Sequence, residues 1–595
     1  MQPPTAQSPR QALQQAVAEA FAEVSGFDDV DPQVTACHNN TMGDLQANAA
    51  MSVAGRIKKE RGEKANPRQI AEQVVAKLGD LPMLASAPEV AGPGFINFRL
   101  APDWVAEQAT LSLASQRLGI ATDGDPQRVV VEYSSPNIAK QMHVGHIRTT
   151  VIGDALARVF TFLGQDVVRQ NHTGDWGTQF GMLIERLREA GGVDEADIGD
   201  LEGFYRQAKQ RFDSDEDFKA RARDTVVALQ RGDEKERVAW QRFVDETRKH
   251  TQQVYETLGV LLTVDDERGE SSYNDRLPGL TQELLDTGVA EVSDGAVVSF
   301  TDGFKAPLMI RKSNGGFCYG TTDLAAAEYR AKHLKADRVI YVVGAEQQQH
   351  FKQLFATYDK AVEQAGWPGG VTFEHAVFGN VLGHDGRKIS TKNLDKSLPP
   401  DAGPEVLQLL NLLDIAVQKA RSVVDEMSRD LPDDSKADLA RAIGIGAVKY
   451  ADLSKDRSSD YVFSFDEMLR LDGNSGPYMQ YAHARVRSVL DKAAQAGVTS
   501  DGRITTLEAE EELALAKALI EFGDVVRQVA ADLRPHVLCT YLYDLARAFS
   551  RFYDACPILK SEGEQRQSRL ALADLAGRTI AQGLDLLGIE HPNRM

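Results

Sequence analysis

Cysteine is scarce in this sequence, with four in 595 residues. Cys37, Cys318, Cys539 and Cys556 stand far apart without a CxxC pair, which argues against a disulfide framework or a thiolate zinc site and suits a reducing compartment. Long apolar runs are missing as well. The longest β-like runs cover a few residues around Val339 to Val343, far short of the ~18 residues of a membrane span. Met1 to Gln15 carry one arginine and many Gln and Pro, not the basic start and apolar stretch of an export signal. A soluble, cytoplasmic protein without a membrane partner is expected. Positive charge is in deficit: 67 Lys and Arg stand against 87 Asp and Glu, a formal net charge of -20. That balance opposes broad adhesion to nucleic acid or anionic lipid, so any polyanion must dock on a local basic patch.

What is present is an ordinary globular composition, 42 % hydrophobic and 26 % charged, on a chain long enough for about four domains at roughly 150 residues each. Residues 10–24 carry apolar residues at helical spacing, and GPGFINFRL alternates like a strand after a Gly-Pro turn, so 1–122 reads as an α+β domain. Within it Arg56, Lys58, Lys59, Arg61, Lys64 and Arg68 reverse the local sign of charge. Next come VVVEYSSPN, an amphipathic helix from about Val144 to Leu163, and the strand candidates 167–177, 338–345 and 375–383. Strands alternating with helices predict a doubly wound parallel sheet over 123–395, interrupted at about 191–300 by a charged, helix-like insertion. From 396 onward helical spacing dominates, giving a helical connecting region to 470 and an all-α module over 471–595.

Two short motifs carry the chemistry. In PNIAKQMHVGHIR, between the first strand and its helix, His143 and His146 lie three apart and can face one anion site at the helix N-terminus. Gly145 leaves the backbone open to a nucleotide, and Lys140 adds charge on the same rim. The alternatives are a helix cap that happens to contain histidine and a metal-binding HxxH pair, which would need a third ligand where no Cys or metal-spaced His lies near. In HDGRKISTKN, Lys388, Ser390, Thr391 and Lys392 form a cationic loop at a strand end, where a second phosphate clamp belongs; the bland reading is a solvated turn. Further on, Tyr478, Tyr481, His483, Arg485 and Arg487 combine aromatics and arginines on one helical pattern, which suits splayed RNA bases or, alternatively, packing into a bundle.

Taken together, the HVGH motif, the KMSKS-like loop, VEYSSPNIAKQMHVGHIRTTVIGDALARV, NHTGDWGTQFGMLIE, CYGTTDLAAAEYR and YLYDLARAFSRFYDACPIL resemble the arginyl-tRNA synthetases, a class I aminoacyl-tRNA synthetase family, over nearly the whole chain. The resemblance implies a Rossmann-like, HIGH-type catalytic domain, an N-terminal domain that meets the outer corner of tRNA near Lys58 and Lys59, and a C-terminal anticodon-binding bundle with Tyr478, Tyr481 and Arg485. It implies L-arginine, ATP with its Mg²⁺ and tRNA(Arg) as partners, a monomer, and no all-protein metal site. Arginine is activated to the adenylate with release of pyrophosphate and then passed to the terminal adenosine of tRNA. By the same resemblance Glu132, Asn137, Tyr319, Asp323 and Gln347 hold arginine. His143, Gly145, His146, Ser390 and Lys392 meet ATP, and Lys140, His143, His146 and Lys388 carry catalysis. Thr391 replaces the loop's usual second lysine, and Lys140 is expected to compensate. The rivals are a silent paralogue that binds tRNA without forming adenylate, a lysine-specific synthetase and a small HxGH nucleotidyltransferase.

Overall fold

The computed structural model describes residues 5–37, 41–122, 124–191, 201–389, 408–427 and 431–595. The N-terminal domain begins with helix α1 (Pro9–Ser25), whose first turn is capped by the Ser8 side chain accepting from Gln11 N–H. Proline in the first turn needs no helical N–H partner, and Gly26, at φ 68°, ends the helix in the left-handed conformation. Strands β1 (Val34–Ala36), β2 (Leu45–Ala47), β3 (Glu89–Ala91) and β4 (Phe95–Phe98) form an antiparallel sheet in the order β1-β2-β4-β3. Helices α2 (Ala50–Arg61) and α3 (Pro67–Leu78) cover it, and Val17, Phe21, Val53, Val74, Ile96 and Phe98 form its core. Helix α4 (Pro102–Ala114) leads out of the domain.

The central sheet contains β5 (Arg128–Glu132), β6 (Asp166–Gln170), β10 (Arg338–Tyr341) and β11 (Thr372–His375), all parallel, in the order β11-β10-β5-β6. Val129, Val130, Val131, Val339 and Ile340 are buried, because both faces of a parallel sheet are covered and its strands read as continuous apolar runs. Helix α5 (Ile147–Phe162) links β5 to β6, while α12 (Gln348–Ala365) links β10 to β11 in the opposite direction. The order therefore reverses between β5 and β10, and a crevice opens above their carboxyl ends, where doubly wound sheets take their ligands.

Between β6 and β10 the chain departs from an all-helical insertion. Helices α6 (Thr178–Glu189), α7 (Leu201–Ser214), α8 (Glu216–Gln230) and α9 (Glu234–Leu258) pack around Phe180, Leu183, Phe218 and Phe243. After α10 (Leu277–Asp286), however, come β7 (Glu291–Ser293), β8 (Ala296–Ser299) and β9 (Leu308–Arg311), a small antiparallel sheet. Its first turn is Asp294-Gly295, with φ of 49° and 76°, the Asp-Gly hairpin signature that a helical reading of 191–300 passes over. Helix α11 (Tyr319–Lys332) then leads into β10.

The strand expected over 375–383 is also redistributed. The sheet strand is β11 and stops at His375, while Val381–Leu382, β12, pairs in parallel with β13 (Tyr461–Val462) from the helical half of the chain. Gly379 makes this crossing possible: its N–H donates to Arg457 O at 2.8 Å, and a Cβ there would lie 2.6 Å from Asp460 Oδ1 and 2.7 Å from the Ser459 backbone. Beyond residue 408 the described chain is helical apart from β13, with long helices Leu409–Met427, Asp433–Leu453, Gly476–Gln495, His536–Ala555 and Gly563–Leu586. Among the described residues no helix is long and apolar enough to cross a membrane.

Candidate active site

A cavity of about 660 Å³ occupies the crevice above β5 and β10. Its rim begins where β5 ends. Ser134, Ser135 and Ala139 adopt φ of 69°, 46° and 64°, a left-handed conformation that costs non-glycine residues energy and must be held by its surroundings. The hold is visible. Ser134 N–H donates to Thr149 Oγ1 at 3.0 Å, Ser135 N–H to Asn171 Oδ1 at 3.0 Å, and Ser134 Oγ meets Tyr255 OH of α9 at 2.8 Å. Burial pushes the Tyr255 hydroxyl up to about 12, so it stays protonated within this network.

The loop delivers His143 and His146 to a short 3₁₀ turn, Val144–His146, that runs into α5. Each imidazole accepts a backbone N–H at Nδ1: His143 from Gly145 at 3.1 Å and His146 from His143 at 3.1 Å. In the neutral rings this leaves the proton on Nε2, a donor for anionic oxygen. Burial, helped by His143 and Lys140, pushes His146 down to about 3, so it is neutral at physiological pH. Gly145 lines the cavity as expected, but its immediate role is steric, since a Cβ there would sit 2.8 Å from the His143 ring. Lys140 is placed differently from the rim position read in the sequence. Its ammonium lies 4.8 Å from the Tyr205 ring on α7, and the residue is not part of the cavity lining.

Lys388 does line the cavity, at the end of a tight turn in which Gly383 N–H donates to Arg387 O at 2.8 Å and Ile389 N–H to Val381 O at 3.0 Å. Its ammonium is 3.5 Å from the exposed Glu346 carboxylate. Ser390, Thr391 and Lys392 lie outside the described residues.

The other wall is built by the start of α11 and the turn after β10. Tyr319 is 66 % exposed and stacks edge-on against His350 at 4.8 Å, while Asn137 and Gln347 complete the lining. One turn on, Asp323 is approached by His350 Nε2 at 2.6 Å and His172 Nε2 at 3.6 Å. Burial alone would raise this carboxyl, but the two imidazoles hold it well below the ordinary carboxylate range. The same carboxylate raises His172 above an ordinary imidazole, against the effect of burial.

Glu132 lines the cavity too, yet its carboxylate is already engaged by the guanidinium of Arg330, which is buried and also donates through Nε to Gln170 Oε1 at 2.6 Å. The cavity holds a further carboxylate that sequence reading passed over. Glu270 sits in the same cavity, where burial, opposed by His172 and aided by Asp323 and Asp175, pushes it up to about 7. His172, His350 and Glu270 gave no periodic or motif signal of their own; only His172 falls within a segment noted for resemblance.

A second concavity, about 820 Å³, lies along the helix Gly476–Gln495 and includes Tyr481, Arg485, Lys492, Tyr553, Arg594 and Met595. Arg485 stacks over Tyr553 at 4.7 Å and pairs with Asp554 at 3.3 Å. Tyr478 instead packs edge-on against Tyr543 at 5.9 Å, as a bundle residue does. Lys58 and Lys59 are exposed in the last turn of α2, where the helix dipole favours cations. Arg56 and Arg68 of the same basic run pair with Asp29, Glu60 and Glu72.

Family comparison joins these features. Residues 108–465 match "tRNA synthetases class I (R), catalytic domain", 10–100 match "Arginyl tRNA synthetase N terminal domain" and 479–595 match "DALR anticodon binding domain". The chain belongs to the arginyl-tRNA synthetase family. It is 48 % identical to arginine–tRNA ligase of Chromobacterium violaceum, over 98 % of each chain. To the same enzyme of Shigella sonnei it is 46 % identical, over 98 % of this chain and 99 % of the other. Among solved structures, the arginyl-tRNA synthetases of Plasmodium falciparum and Thermus thermophilus superpose with TM-scores of 0.84 and 0.81. Each is 26 % identical, and the alignments cover 99 % of this chain and 100 % of theirs. The matched segments thus include both histidines, the Asp323 wall and the second concavity.

Proposed function

We infer that the crevice above β5 and β10 activates L-arginine and that the C-terminal concavity receives the tRNA. The chain is an arginine–tRNA ligase of class I: arginine and ATP form arginyl-adenylate and pyrophosphate, and arginine then passes to the 3′-terminal adenosine of tRNA(Arg). The observation that carries the site assignment is the meeting, in one cavity, of two Nε2 donors with the carboxylates of Asp323 and Glu270.

The chemistry follows from those groups. A planar guanidinium wants fixed carboxylate acceptors; Asp323 supplies one, held in place by His172 and His350, and Glu270 a second, with Glu132, already paired with Arg330, on the same wall. Lysine, with a single compact ammonium, leaves part of that acceptor set unpaired and is rejected at the cost of buried polar groups. Asn137, Gln347 and Tyr319 hold the rest of the substrate. Its carboxylate oxygen attacks the α-phosphorus of ATP, a new O–P bond forms, and the bond to pyrophosphate breaks. No protein nucleophile is needed; catalysis rests on positioning and on stabilising charge over the phosphates. His143 and His146 donate from Nε2, and Lys388 exchanges Glu346 for phosphate oxygen. Lys140 joins them by leaving Tyr205. A hydroxyl of the terminal adenosine next attacks the acyl carbon, and AMP leaves.

Mg²⁺ is taken to arrive with the phosphates of ATP, and no step here is routed through the ion. Tyr481 and Arg485 are assigned to anticodon bases and phosphates, Lys58 and Lys59 to the outer corner of tRNA, with Tyr478 a supporting bundle residue. A cytoplasmic monomer completes the proposal.

The test is attachment of labelled arginine, and separately lysine, to unfractionated tRNA with ATP and Mg²⁺. Arginine alone should be attached. Well-folded protein that binds tRNA and attaches neither would overturn the reading in favour of a silent paralogue.

A further inference from the structure

Glu270 reaches the arginine pocket from the first turn of a 3₁₀ helix, Glu270–Arg276, that runs into α10, and the free end of such a helix must be anchored by its neighbours. Across that turn lies Asp175, buried and outside the cavity lining, with no part in the chemistry above. Its Oδ1 accepts the backbone N–H of Ser271 at 2.8 Å and its Oδ2 the Ser271 hydroxyl at 2.5 Å. On the other side of Glu270, Gly269 packs flat against the same carboxylate, and any side chain there would collide with it. The Glu270 N–H in turn donates to Thr173 O at 3.1 Å. The residues before and after Glu270 are thus fixed to one buried carboxylate, and Glu270 itself to the backbone two residues upstream of it.

We propose that Asp175 is a positioning residue for arginine selection, holding Glu270 in the pocket with Asp323 and tying that placement to the helical insertion. The tie runs through α9. Trp240 Nε1 donates to Asp175 O at 2.8 Å, and Trp240 stacks edge-on against Trp176 at 6.1 Å. Further along α9, Arg248 grips Glu267 at 2.8 Å and 3.2 Å, just before the same turn. A buried carboxylate that accepts both hydrogens of one serine is a rigid bracket, because releasing either leaves a desolvated acceptor. The insertion thereby gains a role in specificity although no part of α7 to α9 lines the cavity.

The proposal rests on Glu270 reading the guanidinium, and a double-mutant cycle separates the two. Glu270→Gln, Asp175→Ala and the double variant are measured for arginine KM, ATP KM and kcat in aminoacylation, with citrulline, the neutral isostere of arginine, as competitor. Asp175→Ala should raise arginine KM roughly tenfold and leave ATP KM within about twofold. It should also narrow the preference for arginine over citrulline, and add little to Glu270→Gln, since both remove the same interaction. Ser271→Ala, which keeps the carboxylate and loses one of its donors, should show the same pattern more weakly and serves if Asp175→Ala does not fold. Additive effects of the two substitutions, or a parallel rise in ATP KM, would reduce Asp175 to a general structural residue and overturn the proposal. An unchanged arginine KM in Glu270→Gln would overturn the pocket assignment, and this proposal with it.

Discussion

On the proposed reading, Asp323 is a carboxylate that meets the guanidinium. Its two imidazole partners keep it ionised despite burial, so the acceptor is charged before substrate arrives. Asp323→Asn should raise arginine KM by about 30-fold or more, the scale of losing a charge-assisted pair, while ATP KM stays within twofold. Steady-state kinetics with each substrate varied in turn decides this. Glu270 behaves oppositely. At about 7 it takes up a proton as the pH falls, and a protonated carboxyl no longer attracts a cation. Arginine binding must then expel that proton, so arginine KM should climb as pH drops below 7, by up to tenfold per unit, and level off above 8. The neighbouring His172, held above an ordinary imidazole by the Asp323 carboxylate, favours its cationic form and works against substrate binding in the same direction, whereas Asp323 stays ionised. Arginine KM measured from pH 6 to 8.5 should lose most of this slope in Glu270→Gln. If the slope survives that substitution, His172 is its source.

At the scale of elements, the decisive contact joins helix α5, which starts at the histidines, to the strand pair that leads to Lys388. Arg148, fully buried on α5, lies 3.3 Å from Asp452 Oδ2, donates to Ser459 O at 2.7 Å and faces the Tyr461 ring at 5.3 Å. Since β13, which contains Tyr461, pairs with β12, the two cationic and donor arms of the site share one anchor. Arg148→Met leaves the buried Asp452 without its cation, with only the Tyr461 hydroxyl beside it, and should cost about 3–5 kcal/mol, read in denaturant unfolding. Lys388→Ala should leave folding intact and slow arginyl-adenylate formation about 10- to 100-fold with little change in ATP KM, because the ammonium is spent on the transition state. The elements also show what periodicity resolves. VVVE and the helix after HVGH are legible because burial on both sheet faces and a 3.6-residue period leave marks in any window. The hairpin at Asp294-Gly295 and the short β12–β13 ladder escaped because two to four residues carry no period, and because β12 finds its partner some 80 residues away.

Across the whole molecule, net charge and RNA binding are reconciled by local geometry. The chain carries -20 overall, yet Arg485, Lys492 and Arg594 gather around Tyr481 in one concavity. Tyr481→Ala should raise the KM for tRNA about tenfold through lost base stacking and leave arginine KM unchanged. Aminoacylation with tRNA and arginine varied separately checks both halves. A fully buried lysine marks where the modules meet: Lys449, of the helix Asp433–Leu453, donates to Leu258 O at the end of α9 and to Gly588 O near the chain end. The insertion, α5 and the C-terminal helices are thus bound at one point, beside Asp154. The sequence by itself determined the domain order, the parallel sheet, the helical C-terminal half and the place of the two histidines, since each follows from local periodicity or from a motif at the junction of a strand and a helix. Only the tertiary structure decided what each carboxylate meets. Glu132 and Glu270 are equally acidic as letters, but helix α11 brings Arg330 onto the first, and a buried aspartate sets the second in the cavity. Charge pairing between residues far apart in the chain depends on distance and desolvation, and neither leaves a periodic trace in sequence.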